Sequence, residues 1–432
     1  MAPEKVDVVV LGAGVIGSCA ALSLRRAGQN TLLIDQFRLP HNNGSSGGQA
    51  RIIRLANVGP PQLTPIMDDA YKQWLQISDL VKEELISPAP LLHVSRSEEK
   101  IKQAAASMEL VGKKPVWLTS AQTNAKYSTR FTDDFMIFED TTAGVMRADR
   151  CIAAVQRLYR EAGGRVLDGW PVTKVEAGRP WLKLKGPRGE VQARALVLCA
   201  GPWAASLLES FGVRLPLRTV RTQALFWENK KFPQASFLDL STKNYHYGLP
   251  ALDADGRYKM GKHAGVVTLP GTEVDLSELT KETIPFINKY LPFEADKPNG
   301  KEYCWYTVSP DGECILDRCP KHPNIVYATG FTGTGFKLGP TVGDILTGMV
   351  LGRDHGFDVS PSAPPVSPTS RPSIACTAST EQADEMRLPW YKGREALMND
   401  NVSVQAHVTM GAGNYEHIFT FQGSSDYDSR QG

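Results

Sequence analysis

Residues 6–17 read Val6-Asp7-Val8-Val9-Val10-Leu11-Gly12-Ala13-Gly14-Val15-Ile16-Gly17. The β-branched run up to Leu11 predicts a buried parallel strand. Ser18 onward predicts a helix ended by Gly28, and Thr31-Leu32-Leu33-Ile34-Asp35 predicts a second strand that closes on an acid. Gly12 permits the tight turn, Gly14 lets backbone approach a pyrophosphate, and Gly17 lets helix and strand pack closely. The helix start at Val15 and Ile16 offers N–H groups and a partial positive charge to phosphates. Asp35, followed by Gln36, stands where a ribose hydroxyl needs an acceptor. Strand, turn, helix and acid in this order predict a dinucleotide site. The motif alone does not separate FAD from NAD, and its alternative is a glycine-rich turn with an ordinary strand-end acid.

The rest of the chain fits a large α/β protein. Its 432 residues are 42% hydrophobic and 22% charged, which excludes a mostly disordered chain. Lys and Arg total 48 against 46 Asp and Glu, a net charge of +2 that argues against a broad nucleic-acid face. No run of 18 apolar residues predicts a membrane span, and the N-terminus lacks the basic-then-apolar pattern of a secretion signal. The seven cysteines are scattered and suit a reducing compartment, and Cys314 and Cys319 lack the partners of a metal site. Helical stretches are predicted at 66–87, 97–112, 150–163 and 204–211, with a further helix beginning near Thr341. Strands are predicted at 165–167, 172–176, 193–198 and 325–330, and antiparallel strands over 218–270. Ala193 to Leu198 leads through a Gly201-Pro202-Trp203 turn back toward the nucleotide sheet. From Pro361 onward, five prolines within twelve residues predict a linker, followed by a poorly ordered tail over the remaining residues to 432.

Several blocks together resemble the monomeric sarcosine oxidase family, most closely its peroxisomal sarcosine/pipecolate oxidase branch. They are the Gly12–Gly17 loop; Pro40 to Arg54, which includes Ser45-Ser46-Gly47-Gly48-Gln49-Ala50-Arg51; Tyr247-Gly248-Leu249-Pro250 with Lys259 and His263; Cys304-Trp305-Tyr306-Thr307 with Pro310-Asp311-Gly312 and Ile315-Leu316-Asp317-Arg318; and Gly330-Phe331-Thr332-Gly333-Thr334-Gly335-Phe336-Lys337. They fall in the family's order across residues 5–361. The resemblance implies a Rossmann-like FAD-binding domain over 1–90, 145–218 and 325–360. It implies an inserted α+β substrate domain with an antiparallel sheet over 91–144 and 219–324.

The resemblance also implies the chemistry: oxidation of a secondary amino acid such as sarcosine or pipecolate to an imine that hydrolyses, with oxygen reduced to hydrogen peroxide. FAD would be bonded covalently to Cys304. Arg54 and Lys337 would clamp the substrate carboxylate, and a planar fork plus a point charge suits that anion. Arg51 and Lys259 would lie beside the flavin ring, Lys259 serving oxygen activation, with Lys262 as its alternative in register. Tyr247, Tyr306 and His263 would line the substrate cavity. Ser45, Ser46, Val175, Gly201, Trp203, Gly333, Gly335 and Phe336 would complete the cofactor site. Two positions depart from the family, Gly47 and Thr334, where histidine is frequent. The resemblance implies a monomer. It points to the peroxisome, yet the chain ends in Arg-Gln-Gly rather than a Ser-Lys-Leu-like address, so cytosol stays open. A fructosyl amino acid oxidase and a non-catalytic flavin-binding protein are the alternative readings.

Overall fold

The computed structural model describes residues 3–228, 235–252, 256–293 and 295–359. The proline-rich linker and tail expected beyond 360 lie outside the described residues. The sheets and helices given below belong to one compact unit.

The first sheet has eight strands and is mixed, with a parallel centre. Glu4–Leu11 lies between Thr31–Ile34 and Gly189–Leu198, parallel to both, and Arg165–Leu167 extends the far side in parallel. Ile325–Thr329 also joins Gly189–Leu198 in parallel. Leu182–Gly186 and Lys174–Glu176 add antiparallel strands at one edge. Ile315–Arg318 pairs antiparallel with Ile325–Thr329, so this segment belongs to the nucleotide sheet and not to the substrate domain expected over 219–324. It is the outward arm of a hairpin that turns at Cys319–His322, and a hairpin cannot be divided between two sheets.

Helices Val15–Arg26, Leu63–Val81, Ala148–Glu161 and Gly335–Leu351 cover one face of this sheet around a single apolar core. Val15–Arg26 and Gly335–Leu351 approach closely because Gly339 and Gly343 lie at the crossing. A Cβ on Gly343 would come within 2.7 Å of the Cys19 backbone. That packing corrects the helix start expected near Thr341. The helix begins at Gly335 and carries Pro340 in its interior, so one backbone bond is lost while the close crossing is kept.

The helix expected over 66–87 is likewise shorter. Leu63–Val81 stops because Lys82 adopts a left-handed conformation (φ 54°) with no glycine to announce it, and Ile86–Pro88 is a strand. That strand, Gly144–Arg147 and Ala50–Ile53 form a small antiparallel sheet between the two larger ones in sequence.

The second large sheet has nine strands. In order they are Val266–Val267, Arg218–Glu228, Arg257–Lys262, His246–Pro250, Ser236–Asp239, Leu91–Ser95, Met136–Asp140 and Val116–Leu118, with Gly300–Val308 added to Arg218–Glu228. All pairs are antiparallel except Ser236–Asp239 with Leu91–Ser95. Among the described residues no helix is long and apolar enough to cross a membrane, and no cluster of His, Cys, Asp and Glu could hold a metal.

Candidate active site

The Gly12–Gly17 loop has the geometry its composition demands. Gly12 sits at φ 104°, and a Cβ there would strike the Cys199 carbonyl oxygen; a Cβ on Gly17 would overlap the Gly12 carbonyl oxygen. Only glycine lets the helix start this close to the strand. Asp35 is buried and uses both oxygens locally. Oδ2 accepts from Ala13 N at 2.8 Å, Oδ1 accepts from Phe37 N at 2.8 Å, and His41 Nε2 stands 3.2 Å from Oδ1. The acid therefore ties the glycine loop to the end of the second strand, and His41 is a neighbour that sequence reasoning missed. Gln36 is half-buried beside it.

Val15 and Ile16 pack into the core, while Val15 N donates to Ser46 Oγ at 3.0 Å. The Ser45–Ser46 loop thus reaches the helix N-terminus. Trp203 packs on Phe37 with centroids 5.5 Å apart, and Gly201 opens the turn before it at φ 52°. Val175 stands apart on the edge strand Lys174–Glu176, packed against the other apolar face of the first sheet.

A second group of residues gathers on one face of the nine-stranded sheet, and period-two alternation decides which. In register, Thr222 faces Cys304, Ala224 faces Glu302 and Val220 faces Tyr306. Across the next strand Ala224 faces Gly261 and Phe226 faces Lys259, and beyond it Gly261 faces Tyr247 and Lys259 faces Leu249. Glu302, Cys304, Tyr306, Lys259 and Tyr247 therefore share a face. Lys262 falls on the opposite face, where it pairs with Glu282 at 2.6 Å. Lys259, by contrast, is buried on the shared face.

Arg51 arrives from the small sheet. Its guanidinium donates to the carbonyls of Ala50 (2.9 Å), Ser45 (3.4 Å) and Gly47, lies 3.9 Å from Cys304 Sγ, and stands 5.6 Å over the Phe336 ring. Cys304 Sγ in turn lies 3.4 Å from the Ser45 carbonyl. Lys259 Nζ donates to the Ala50 carbonyl at 3.2 Å and to Glu302 Oε1 at 3.1 Å. Glu302 was missed by sequence reasoning. Burial would raise its carboxyl, but Lys259 and Arg51 outweigh burial and hold it below the usual range. Burial, followed by the Arg51 charge, lowers the Lys259 ammonium from the ordinary lysine value.

Arg54 and Lys337 meet at the other end. Lys337 is buried; its Nζ donates to the Thr334 carbonyl at 3.1 Å, and its own carbonyl accepts from Trp74 Nε1 at 3.0 Å. Burial and then the Arg54 charge push the Lys337 ammonium well below the ordinary lysine value. Burial also lowers Arg54. Neither cation has a carboxylate within 4 Å among the described residues, although charged groups elsewhere in the chain are extensively paired.

His263 adjoins the pair, pushed down to about 4 by burial and then by Arg54, Lys337 and Lys243, so its ring is neutral near pH 7. It stacks on Tyr245 at 4.7 Å and lies 5.1 Å from Tyr306. Burial raises the phenols of both Tyr306 and Tyr247, which also act on each other. Tyr245 was also missed; its signal was the Tyr245-His246-Tyr247 alternation, which places both tyrosines on one side.

The two departures have structural partners. Gly47 packs on Asn42, whose Cα would lie 2.8 Å from a Cβ at 47, so the space for a side chain is filled. Thr334 uses its hydroxyl on the Phe331 carbonyl at 2.7 Å. Gly333, at φ 82°, brings backbone against His263, and Gly335 packs on the Phe331 ring.

These parts fit FAD as a group. A strand–glycine loop–helix unit suits the pyrophosphate, and two cations gathered beside a thiol suit a ring that gains negative charge. Ser45 Oγ, between the two, is buried without a partner. A family model for FAD dependent oxidoreductases matches residues 7–349. The chain belongs to this family.

As an FAD-dependent oxidoreductase it is similar in sequence to sarcosine oxidases. It is 34% identical to the peroxisomal sarcosine oxidase of Mus musculus, over 82% of this chain and 94% of that protein. It is 26% identical to the monomeric sarcosine oxidase of Arthrobacter sp., over 82% and 94%. Among solved structures, NikD, an unusual amino acid oxidase of nikkomycin biosynthesis, superposes with a TM-score of 0.73 at 20% identity, covering 83% of this chain and 96% of that one. The expected α/β fold and the expected family are therefore both correct.

Proposed function

We propose that this oxidoreductase oxidises the CH–NH bond of a secondary amino acid, of the sarcosine or N-methyl amino acid class, with oxygen as acceptor. The observation that carries this reading is the Arg54–Lys337 pair: two cations brought together in a largely dry site, with no carboxylate of the described residues within 4 Å of either and Asp140 acting on Arg54 from beyond that distance. Assembling such a pair is costly unless an anion completes it, and a substrate carboxylate has the geometry for a guanidinium fork plus an ammonium. The amino acid loses two electrons and two protons to give an imine, which water hydrolyses, and oxygen takes up both to give hydrogen peroxide. FAD, when bound, supplies the two-electron acceptor.

The chain's residues bind and orient. The Gly12–Gly17 loop, Asp35, Ser45 and Ser46 would hold the dinucleotide end, with Gln36, Val175, Gly201 and Trp203 around it. Gly333, Gly335 and Phe336 would hold the ring, and Cys304 would carry the covalent bond. Arg54 and Lys337 hold the carboxylate. Neutral His263 and the phenols of Tyr245, Tyr247 and Tyr306 enclose the amine and exclude water from it. Lys259 and Arg51 hold fixed positive charge on the Cys304 side, where negative charge develops as oxygen is reduced.

In this reading the nucleotide sheet and the nine-stranded sheet are the cofactor and substrate halves of a monomer, and the compartment is that of the peroxisomal relatives. The protein should be yellow. Anaerobic sarcosine, pipecolate, proline and fructosyl-glycine, tested in turn, should include one secondary amino acid that bleaches it. Bleaching by none, or only by the fructosyl compound, overturns the substrate class. Acid precipitation tests attachment: colour in the pellet, mapped to the peptide that holds Cys304, supports the covalent bond, and free flavin in the supernatant refutes it.

A further inference from the structure

We propose that Glu302 is a positioning residue that sets both cations of the Cys304 side, holding the Lys259 ammonium charged and the Arg51 guanidinium in place. The inference rests on the oxidase reading for its rate prediction and on the chain alone for its geometry.

One carboxylate serves three elements. Glu302 Oε1 lies 3.1 Å from Lys259 Nζ and 3.5 Å from Arg51. The Gln49 backbone amide also favours the ionised form of this carboxylate. It also presses on Gly48, which sits at φ 97° and whose Cβ, were there one, would overlap Oε1. Glu302 thus fastens the Ser45–Arg51 loop to two strands of the nine-stranded sheet. Arg51 and Lys259 are like charges on the same few ångströms of structure, and the carboxylate between them is what makes their joint burial tolerable.

Lys259 donates to a carbonyl and to Glu302, and no second carboxylate approaches it among the described residues. The ionisable groups facing this carboxylate are Lys259, Arg51 and Cys304, with Tyr247 and Tyr306 beyond Arg51. Glu302 is the carboxylate that pairs with both Lys259 and Arg51, and no other carboxylate of the described residues lies within 4 Å of either, so its removal leaves the two cations to repel each other. The loss then appears first on Lys259, because a guanidinium does not give up its proton.

The test uses the full-length, flavin-loaded protein with lysine side chains isotopically labelled, the Lys259 resonance being assigned by its absence in Lys259→Met. In Glu302→Gln, which keeps the shape but removes the charge, the Lys259 titration midpoint should move to lower pH than in the parent. The oxygen half-reaction should slow about 10- to 100-fold, as misplaced groups do, and this loss should exceed that of the amino acid half-reaction at least ten-fold. The slowed rate should recover as pH falls, because lower pH restores the ammonium. Glu302→Asp, with the charge kept on a shorter arm, should lie nearer the parent in both measurements. An unchanged Lys259 titration in Glu302→Gln, or equal losses in the two half-reactions with no recovery at lower pH, overturns the proposal and leaves Glu302 as packing for the Gly48 loop. If no amino acid reduces the parent protein, the oxidase reading fails, while the lysine titration still decides the role of Glu302.

Discussion

The Lys337 ammonium is buried within the field of the Arg54 guanidinium, and no carboxylate of the described residues lies within 4 Å of either. A folded chain rarely assembles two cations this way for stability, since desolvation and repulsion act in the same direction. The arrangement is intelligible as half of an ion cluster whose other half arrives with the substrate.

Lys337→Ala should raise KM for a carboxylate substrate. The lost charge-assisted hydrogen bond corresponds to about 1.5–3 kcal/mol, roughly ten- to hundred-fold. An amine of similar size without the carboxylate should lose much less. Steady-state kinetics on the two substrates checks this, and equal losses would make Lys337 a structural lysine.

The same burial predicts a gain in stability from a conservative change. Lys337→Met keeps the stem and removes the charge, so in the absence of substrate Tm should rise by about 2 °C or more. The sign with pH follows from the lowered lysine pKa. The penalty is fully present below that lowered value, where the folded and unfolded chains both carry the proton. It shrinks as pH rises from there toward 10.5, the ordinary lysine value, because the folded protein sheds its proton first. The Tm gap between variant and parent should therefore narrow as pH rises. A gap that widens, or a variant less stable than the parent at neutral pH, would show that the ammonium is well satisfied by Thr334.

Gly17→Ala tests the nucleotide loop. Its Cβ would overlap the Gly12 carbonyl oxygen, so strand and helix must separate, at a cost of about 1–3 kcal/mol. Lower Tm and a lower ratio of flavin to protein absorbance are expected together. Parental values for both would mean that the loop adjusts freely and does not set the helix position.

How legible the molecule is in its sequence depends on how local each demand is. The Gly12–Gly17 loop is the most legible part because Gly12 and Gly17 answer clashes with atoms next to them in the strand–turn–helix unit or with the one strand alongside, at Cys199, whereas Gly14 meets the Ser46 side chain of a distant loop. The choice between Lys259 and Lys262 is not, because it turns on the pairing of Arg257–Lys262 with Arg218–Glu228, and a register is fixed by partners far away in sequence. Glu302 was invisible for the same reason: its role exists only where residues 48–51, 259 and 302 converge. The start of the last helix was misread because Pro340 resembles a boundary. Its cost is outweighed by the packing of Gly339 and Gly343 against Val15–Arg26, which no local pattern reveals. Asp35 is expected from the sequence to accept from a ribose hydroxyl, but the bonds its carboxylate makes to Ala13 N and Phe37 N depend on the folded loop and on no local pattern.

Lys259→Met should separate the two half-reactions. Lys259 is buried on the Cys304 face, while Lys262 is paired with Glu282 on the opposite face, so the two lysines make a matched test and control. Methionine keeps the length and apolar stem and deletes the fixed charge. As oxygen is reduced, negative charge grows beside the site. A group already oriented toward that charge is worth on the order of 10²–10³ in rate, since it needs no reorganisation at the moment of reaction. Stopped-flow mixing with oxygen should show a loss of that size in Lys259→Met. Anaerobic mixing with substrate should stay much closer to the parent, because in the proposed reading Arg54 and Lys337 hold the carboxylate independently. Lys262→Met should match the parent in both. A slow Lys262→Met beside a normal Lys259→Met would contradict the observed register. Parental behaviour in both variants would move the oxygen site to Arg51, the remaining cation beside Cys304.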